Sequence, residues 1–378
     1  MKKIKLLFVL PSLEGGGAER IVCNLMSVLN KNIFDVNLFL FNNKGVYWDL
    51  LSNDINIFFG SRNKRYSKWI IIKNLYRVSK DMDIIVGSME LMPTYFSVLV
   101  GKLLRKKIIG WVHINIDSIL NDKNKIIRFL HRNILLKFFY NKLDRIVAVS
   151  NGAKENISKY LNDKNRNKVE CIYNPIKINE IKEKAEEELV EKIEKPFIIG
   201  IGRLERQKNF ILLIKAYRIL LDRGIKHNLI ILGQGSQKEY LVNEVKKLDM
   251  EEKVKFLGFK ENPYKYLNQA NVFIQSSIYE GLPTVLIEAL VLNVPVVATN
   301  CPDGAKEILD NGKYGLLVKM NDEKALADAI EKILNDRDLQ RKYKIKSKDG
   351  INRFDDKYIT HLFEELFLKM MKKTNIIS

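Results

Sequence analysis

The fold is decided by a strand, a loop and a helix that follow one another directly in the second half of the chain. They occupy the stretch Val272-Phe-Ile-Gln-Ser-Ser-Ile-Tyr-Glu-Gly-Leu-Pro-Thr-Val-Leu-Ile-Glu-Ala-Leu290. A short apolar run ending near Gln275 is typical of a buried strand, and Pro283 is a favoured first-turn residue of a helix. The loop between them therefore lies at the carboxyl end of a strand, which is where open α/β sheets bind ligands.

The same alternation extends over the rest of the chain. Further strand-like runs lie at residues 4–10, 36–41, 55–59, 84–86, 108–112, 146–149, 197–201, 229–232, 254–257, 294–298 and 316–318. Continuous runs of Ile, Val, Leu and Phe between helical patterns are typical of parallel sheets covered on both faces. We therefore predict an α/β protein with two Rossmann-like, doubly wound parallel-sheet domains that face a central cleft.

The 378 residues suffice for two domains with separate cores. We predict a first domain at 1–176, a charged linker at 177–195, a second domain at 196–350 and a C-terminal helix within 351–378. The linker is dense in Glu and Lys, and Pro196 restarts the apolar pattern after it. In the C-terminal segment, Tyr358, Leu362, Leu366 and Met370 recur every four residues, which predicts one buried helical stripe.

Composition excludes several classes of protein. With 46% hydrophobic residues the chain is globular, and its three cysteines show neither a disulfide framework nor zinc-site spacing, which favours a reducing compartment. The apolar start at 1–10 is too short for a signal peptide, and the apolar stretch at 84–104 is interrupted by Glu90, Pro93 and Lys102. We therefore predict a cytoplasmic protein without a transmembrane helix.

Cations and glycines cluster at predicted strand ends. Arg203 and Lys208 follow the strand at 197–201 and suit a diphosphate, and the amides of Gly281 to Val285 form an anion site at a helix N-terminus. After the first strand, Gly15-Gly-Gly17 lets the backbone approach a phosphate. Arg20 stands where a dinucleotide fingerprint needs its third glycine, so a dinucleotide site loses support, and a tight turn without a ligand remains an alternative.

Five motifs occur in one order along nearly the whole chain. They are Gly-Gly-Gly-Ala-Glu-Arg at 15–20, Gly-Arg-Leu with Gln-Lys-Asn within 202–209, Leu-Gly-Gln-Gly at 232–235, the pair Glu280 and Glu288, and Cys-Pro-Asp-Gly-Ala-Lys-Glu-Ile at 301–308. In these motifs the chain closely resembles glycosyltransferase family 4, retaining enzymes of the GT-B fold that act in bacterial surface polysaccharide or glycolipid synthesis. It departs from many relatives in having Asp303 and Ala305 in place of Ser and Pro.

The resemblance implies a role for each matching residue. Arg203 and Lys208 match the pair that binds the donor diphosphate, and Glu280 matches the glutamate that faces the donor sugar hydroxyls. Glu288 matches the glutamate that holds the ribose, and His113 matches the active-site histidine near the transferred sugar. The remaining donor-binding positions by the resemblance are Gly16, Gly17, Gly233, Gly235, Leu257, Gly281, Leu282, Thr284 and Val285. The C-terminal helix is expected to return to the N-terminal domain.

These roles predict an enzyme of the hexosyltransferase type. It would transfer a sugar from a nucleoside diphosphate sugar, UDP-sugars being favoured over GDP-mannose, to a hydroxyl of a lipid-linked saccharide with retention of configuration. The N-terminal domain would bind the acceptor and the C-terminal domain the donor. A sugar-nucleotide epimerase and a non-catalytic partner on the same fold are the alternatives.

No cofactor or metal is expected. The Asp-x-Asp pairs at 81–83 and 336–338 are rejected as metal motifs, because the first precedes a strand and the second lies in a helical stretch. The charge of the leaving group would therefore be met by Arg203, Lys208 and helix-end amides. Taken alone, His113 could equally be a core histidine, and Arg203, Lys208 and Glu288 could be solvated surface residues.

Charge asymmetry predicts a membrane partner. The chain carries a net charge of +19, and 29 basic against 14 acidic residues lie within 1–170. Segment 62–80 mixes Arg62, Lys64, Arg65 and Lys68 with Tyr66 and Trp69, and in segment 123–142 Lys125, Arg128 and Arg132 share one helical face opposite Ile127, Leu130, Ile134 and Phe138. We predict peripheral binding to the anionic inner face of the cell membrane, where a polyprenyl-diphosphate-linked or other lipid-linked acceptor resides, and no nucleic acid partner. The alternative for 123–142 is that its apolar face covers the sheet.

Overall fold

The computed structural model describes residues 2–61, 67–121, 123–189, 191 and 193–372. The chain folds into two compact units. Unit 1 comprises the residues up to Pro175 together with those from Asp356 onwards, and unit 2 comprises Ile176–Asp355.

Unit 1 is built on a sheet of seven parallel strands. They are β1 (Ile4–Leu10), β2 (Phe34–Asn42), β3 (Asn56–Ser61), β4 (Ile84–Gly87), β5 (Lys107–Val112), β6 (Arg145–Ala148) and β7 (Val169–Cys171). Their order across the sheet is β3-β2-β1-β4-β5-β6-β7, with every neighbouring pair parallel. The sequence predicts the first six strands, whereas β7 has only three residues and too short an apolar run to stand out.

The helices of unit 1 cover this sheet. They are α1 (Gly17–Val28), α2 (Lys68–Ser79), α3 (Met92–Leu103), α4 (Ile116–Asn121), α5 (Lys125–Leu130), α6 (Leu136–Tyr140), α7 (Asn151–Ser158) and α8 (Asp163–Arg166). A 3-10 turn lies at Trp48–Leu50, and a π-helical turn, His131–Leu135, joins α5 to α6. The five inner strands β2, β1, β4, β5 and β6 are apolar on both faces and most of their side chains are buried, as a doubly covered sheet requires.

Unit 2 repeats the design with six parallel strands. These are β8 (Phe197–Ile201), β9 (Asn228–Leu232), β10 (Val254–Gly258), β11 (Val272–Gln275), β12 (Val296–Thr299) and β13 (Leu316–Val318), in the order β10-β9-β8-β11-β12-β13. Its helices are α9 (Ile178–Ala185), α10 (Phe210–Asp222), α11 (Lys238–Lys247), α12 (Tyr264–Leu267), α13 (Thr284–Val291), α14 (Ala305–Ile308), α15 (Glu323–Asn335) and α16 (Arg337–Ile351), with 3-10 turns at Arg206–Lys208 and Asn352–Phe354. All six predicted strands are present, and the two-domain α/β architecture predicted from the sequence is confirmed.

The first part of the segment predicted as a linker at 177–195 lies within unit 2. It forms α9, whose side chains Ile178, Ile181 and Ala185 are buried in unit 2. The spacing of these three residues places them on one helical face, which packs against α12 and α13. Part of the Glu and Lys density that suggested a linker lies on the solvated face of this helix, and the rest, beginning with Glu186, Glu187 and Glu188, follows it.

The C-terminal helix α17 (Asp356–Lys372) packs within unit 1. Phe367 meets Phe8 and Phe34 edge-on, with ring centroids 6.3 Å and 5.8 Å away, and Phe363 lies 4.7 Å from Trp111. The predicted stripe is wrong in detail, because Tyr358 is exposed and the buried residues are Ile359, Thr360, Phe363, Leu366, Phe367 and Met370. A repeat of four residues drifts around the helix, whereas this set keeps the 3.6-residue period.

Both sheets reverse their strand order at one place. In unit 1 the reversal lies between β1 and β4, and in unit 2 it lies between β8 and β11. Loops at the carboxyl ends of these strands flank a crevice in doubly wound folds, and ligands bind there. Among the described residues, no helix is both long enough and apolar enough to cross a bilayer.

Candidate active site

A lysine–glutamate pair occupies the reversal point of unit 2. Lys208, after β8, places its Nζ 2.5 Å from Glu280 Oε1, after β11. Glu280 is only 6% exposed, and Ser277 Oγ donates to the same carboxylate oxygen at 2.6 Å. A buried carboxylate is stable only when it is paired and hydrogen-bonded, and this one is both.

The two loops that carry this pair are tied together. Gln207 Nε2 donates to the Tyr279 carbonyl at 2.9 Å, and the Ile278 amide donates to the Gln207 carbonyl at 2.8 Å. Ser276 Oγ donates to the Lys208 carbonyl at 2.9 Å. These bonds fix the lysine and the glutamate before any ligand binds, which is the preorganisation that electrostatic catalysis needs.

The other predicted donor-side residues lie on the same loops and on α13. Arg203 follows β8 and is exposed, while Glu288 is buried just over one turn into α13. Gly281, Leu282, Thr284 and Val285 lie at the start of α13, as predicted. The structure thus brings Arg203, Lys208 and Glu280 to adjoining strand ends.

Gly233 and Gly235, two of the glycines predicted to bind the donor, are also required by the packing of the loops around them. A Cβ on Gly233 would lie 1.8 Å from the Gly202 carbonyl oxygen, and one on Gly235 would lie 2.4 Å from the Leu204 carbonyl oxygen. The loops after β8 and β9 therefore cross at backbone distance, which only glycine permits. Leu257 lies in β10, where the pairing with β9 shifts register, and the donor roles of these three residues remain predictions.

Cys301 is not a nucleophile in this environment. Burial, together with the charge of Glu280, raises the pKa of its thiol to about 12. The thiolate is the reactive form of cysteine, so the group stays inert near neutral pH.

His113 lies at the carboxyl end of β5 in unit 1. It is 8% exposed, its ring lies 4.6 Å from the Trp111 ring, and neither ring nitrogen has a hydrogen-bond partner among the described residues. Burial lowers the pKa of His113 to about 3, so the imidazole is neutral at physiological pH. The Ser88 backbone lies close enough to His113 to oppose this lowering of the pKa in part. A neutral imidazole donates a hydrogen bond from one ring nitrogen and accepts one at the other.

Glu90 is a candidate site residue that the sequence analysis missed. It follows β4, and its Oε1 accepts the amides of His113 and Ile114, the latter at 2.8 Å. Burial raises the pKa of this carboxyl group to about 7. The signal was available in the strand order, because the loop after the fourth strand of a doubly wound sheet flanks the reversal point.

The glycine loop after β1 faces the same edge of unit 1. Gly16 is the N-cap of α1, and a Cβ there would lie 2.0 Å from Glu19 Oε2, so the carboxylate of Glu19 folds back over the loop. Gly17 is the first residue of the helix and has open space where a side chain would be. Gly16, Gly17, Glu90 and His113 thus follow the three neighbouring strands β1, β4 and β5.

The Asp-x-Asp pairs have structural roles. Asp83 accepts the Lys5 amide at 2.9 Å at the amino end of β4, and Asp336 caps α16 by accepting the Leu339 amide at 2.8 Å. No three His, Cys, Asp or Glu side chains cluster in the described part of the chain so that they could hold a metal ion. That the reaction needs no metal ion remains a prediction.

Two Rossmann-like units, each with polar groups at the point where its strand order reverses, define the class of the GT-B glycosyltransferases. Comparison with known proteins gives the family. The model described as glycosyltransferase family 4 matches residues 15–180, and the model described as glycosyl transferases group 1 matches residues 181–349. The chain therefore belongs to the glycosyltransferase family whose two halves these models describe, and it is a glycosyltransferase.

Similar proteins include two from Campylobacter jejuni. The N-acetylgalactosamine-N,N'-diacetylbacillosaminyl-diphospho-undecaprenol 4-alpha-N-acetylgalactosaminyltransferase is 31% identical over 93% of this chain and 96% of its own length. A second α-1,4-N-acetyl-D-galactosaminyltransferase, named for a diNAcBac-PP-undecaprenol substrate, is 28% identical over 97% of this chain and 98% of its own length. Among solved structures, Anabaena HepE in complex with UDP and glucose aligns with a TM-score of 0.78 at 18% identity, covering 97% of this chain and 100% of that one.

Proposed function

We propose that the protein transfers a sugar from a UDP-sugar to a hydroxyl of a polyprenyl-diphosphate-linked saccharide in bacterial surface polysaccharide synthesis, with retention of the anomeric configuration. The observation that carries the proposal is the preorganised Lys208–Glu280 pair at the reversal point of unit 2. The two Campylobacter relatives are named for undecaprenol diphosphate-linked substrates and N-acetylgalactosamine, and HepE was solved with UDP. These names support the donor and acceptor classes and make UDP-N-acetylgalactosamine the first donor to test.

The proposed reaction proceeds on one face of the donor sugar. The bond between the anomeric carbon and the diphosphate oxygen breaks, and the acceptor hydroxyl oxygen forms a new bond to the same carbon. The departing diphosphate oxygen takes the proton of that hydroxyl. Arg203 and Lys208 stabilise the diphosphate as its charge grows, and Glu280 orients the sugar hydroxyls.

The test is a donor screen followed by a transfer assay. Binding of UDP, UDP-N-acetylgalactosamine, UDP-glucose and GDP-mannose is measured by thermal shift, and the bound donors are then incubated with undecaprenyl-diphosphate-linked saccharides. We expect stabilisation by a UDP-sugar and a product with an α-linkage by NMR. Stabilisation by GDP-mannose alone would contradict the donor, and a β-linked product would contradict retention. Conversion of a UDP-sugar in the absence of acceptor would favour the epimerase alternative.

We further propose that unit 1 binds an anionic membrane through a surface formed by α3 and the segment α5–α6. We name it the apolar surface and define it by Leu99, Leu103, Ile126, Phe129, Ile134 and Phe138, all of them exposed. Leu103 is 72% exposed, Ile126 81% and Phe129 65%. The two parts lie side by side, because Tyr95 of α3 stacks on Phe139 at 4.6 Å.

The exposure of the side chains in this segment supports the first of the two explanations that the sequence left open. The residues of α6 that cover the sheet are Leu136 and Tyr140, both completely buried. Ile127, Leu130, Ile134 and Phe138 do not cover it, because all four are exposed. A group of exposed apolar side chains on one surface often marks an interaction site.

The predicted basic face needs one correction. Arg132 is not free to meet a membrane, because it pairs with Asp117 at 2.8 Å and donates to Asn121 Oδ1 at 3.1 Å. The π-helical turn at His131–Leu135 adds a residue to the helical turn and shifts Arg132 away from the face that a regular helix would give it. Arg62, Lys64, Arg65 and Tyr66 lie outside the described residues, while Lys68 and Trp69, at the start of α2, are exposed.

Charge complementarity selects an anionic bilayer as the occupant. Exposed cations border the apolar surface at Lys125, Lys137 and Lys142, and Lys142 Nζ lies 4.0 Å from the Phe138 ring centroid. Lys102 is exposed as well, but it pairs with Asp144 at 3.5 Å. Apolar side chains that enter the acyl boundary, with lysines at headgroup level, are the pattern of peripheral membrane binding. Each such cation contributes about 1 kcal/mol near an anionic leaflet. A lipid-linked acceptor is presented at that same boundary.

Flotation with liposomes tests this surface. We expect binding to phosphatidylglycerol vesicles, weak binding to phosphatidylcholine vesicles, and release at about 0.5 M salt, where charge interactions are screened. The double variant Ile126→Ser, Phe129→Ser should lose binding. Ile345→Ser, at an equally exposed apolar residue of unit 2, should retain it. Equal recovery on both lipids, or unchanged binding of the double variant, would contradict the proposal.

A further inference from the structure

We propose that Glu90 is a positioning residue that holds His113 in place for glycosyl transfer. The inference rests on the proposed function, because it assigns to His113 a hydrogen bond with a substrate hydroxyl. Glu90 acts through the backbone, because it accepts hydrogen bonds from two amides at the end of β5. The position of that backbone sets the position of the His113 imidazole. Nothing in the sequence motifs points to this residue.

The geometry around His113 requires an acceptor of this kind. The amides of His113 and Ile114 both emerge just beyond the last paired residue of β5, where the sheet no longer supplies partners. One carboxylate oxygen of Glu90 accepts both. Two hydrogen bonds to one charged oxygen fix the backbone direction at the residue whose ring nitrogens have no partner among the described residues.

The turn that carries Glu90 is itself strained. Leu91, the next residue, has φ +60° and ψ −111°, a region that branched residues rarely occupy. The turn is held on both sides, since Thr94 Oγ1 donates to the Met89 carbonyl at 2.7 Å and a Cβ on Gly87 would lie 2.7 Å from Thr94 Cα. Such strain persists where the surroundings require one conformation. Here that conformation places the Glu90 carboxylate within hydrogen-bond distance of the amides that follow β5.

Protonation of Glu90 weakens the hold on His113. A neutral carboxyl group is a weaker acceptor than a carboxylate, and burial raises the pKa of Glu90 to about 7. The titratable groups that face it are Glu19 from α1, Tyr140 from α6 and His113 from the end of β5. The pKa of Tyr140 is raised by burial and that of His113 is lowered to about 3, so neither changes charge between pH 5.5 and 8.5. We therefore expect a fall in transfer as the pH drops through about 7.

The first experiment needs no substrate. The chain contains four histidines, so the imidazole ¹⁵N signals of His113 can be identified by their loss in His113→Ala. In the unmodified protein we expect the chemical shifts of these signals to change slightly with pH, with a midpoint near pH 7. Throughout the titration they should stay within the range of a neutral imidazole. In Glu90→Gln the movement should disappear, because the amide cannot titrate. Signals that move identically in Glu90→Gln would overturn the proposal even if no donor were turned over.

A double-variant cycle then tests the link to catalysis with the donor found in the screen. Glu90→Gln should lower kcat about 10-fold at pH 8, leave the KM for the donor within about 2-fold, and remove the fall below pH 7. In a His113→Ala background the same substitution should cost nothing further, because its effect passes through the imidazole. Equal costs in both backgrounds would show a merely structural role and overturn the proposal.

Asp117→Asn is the matched control. Asp117 is a carboxylate of the same unit that accepts the Tyr160 hydroxyl at 2.6 Å and the Asn156 amide at 2.7 Å. Its substitution should lower the melting temperature and leave the pH dependence of the His113 signals unchanged. If Asp117→Asn removed that dependence as Glu90→Gln does, the effect would belong to general loosening of unit 1 and the proposal would fall.

Discussion

The two reversal points of this molecule have the same strand order and opposite electrostatics. In unit 2, charged side chains stand at the strand ends, with Lys208 paired to Glu280. In unit 1, the corresponding place holds a buried neutral imidazole and a buried carboxyl group whose pKa is raised to about 7. Fixed charge suits a diphosphate, whereas a neutral, desolvated hydrogen-bonding site suits a sugar hydroxyl. On the proposed function, the comparison teaches that one topology supports two kinds of recognition, and that the side chains at the strand ends decide which.

The sharpest way to break this comparison is to remove the charge from unit 2. Lys208→Ala should lower transfer by at least about 100-fold, the scale of losing one preorganised donor to developing charge. It should also leave the buried carboxylate of Glu280 with Ser277 as its remaining described partner, so a lower melting temperature is expected. Initial rates at saturating donor and thermal melts measure the two effects.

Lys215→Ala supplies the control for Lys208→Ala. Lys215 is an exposed lysine of α10 in the same unit. Its removal changes the net charge equally and should leave transfer within about 2-fold, since isolated surface charges contribute little. Near-normal donor turnover by Lys208→Ala would contradict the diphosphate role.

The division of labour between the two glutamates gives the next largest effect. Glu280→Ala should weaken binding of the intact UDP-sugar by about 10- to 100-fold and that of UDP much less, because a charge-assisted hydrogen bond to the sugar contributes about 1.5–3 kcal/mol. Glu288→Ala should weaken both ligands equally, since both contain the ribose. Calorimetry with UDP and UDP-N-acetylgalactosamine measures this, and equal losses in both variants would contradict the assignment.

Unit 2 was more predictable from the sequence than unit 1. Its strands are continuous apolar runs, and charged residues directly after them stand out against that background, as Arg203, Lys208 and Glu280 do. Glu90 was hidden because it lies in an apolar stretch, where a single acid looks like an interruption. Its role depends on a hydrogen bond to residues 23 and 24 positions later, which no local pattern encodes.

Periodicity also failed where the backbone departs from an ideal helix. The π-helical turn at His131–Leu135 moved Arg132 into an ion pair, and ideal helical spacing could not anticipate that extra residue. In the supposed linker, counting charges hid three apolar residues on one face of α9. The misplaced Arg132 and the overlooked buried face of α9 have one cause. The surroundings of a side chain depend on its tertiary neighbours as well as on the local sequence.

A smaller effect, on the order of 1 kcal/mol, should appear in the stability of unit 1. A carboxyl group whose pKa is raised in the folded state binds its proton more tightly there than in the unfolded chain, so it stabilises the fold at low pH and loses this contribution as pH rises through about 7. The free energy of unfolding of the unmodified protein, measured relative to that of Glu90→Gln, should therefore fall by about 1 kcal/mol between pH 6 and pH 8. Denaturant melts of both proteins at each pH give the difference, and a difference that stays constant with pH would contradict the raised pKa.

The smallest expected effect is that of chelation, which should leave transfer unchanged. If Arg203, Lys208 and the amides at the start of α13 together balance the charge of the departing diphosphate, a divalent cation is not needed for that step. Transfer is measured after dialysis against EDTA, and again after Mg²⁺ or Mn²⁺ is added back. The Lys208→Ala variant is assayed in parallel, because a cation that rescued this variant alone would show that metal charge can substitute for the lysine at the same place. Complete loss of transfer in the unmodified protein, restored by either cation, would contradict this prediction. It would show that the charges of unit 2 cannot balance the departing diphosphate by themselves, and the contrast with unit 1 would then no longer explain the difference between the two sites.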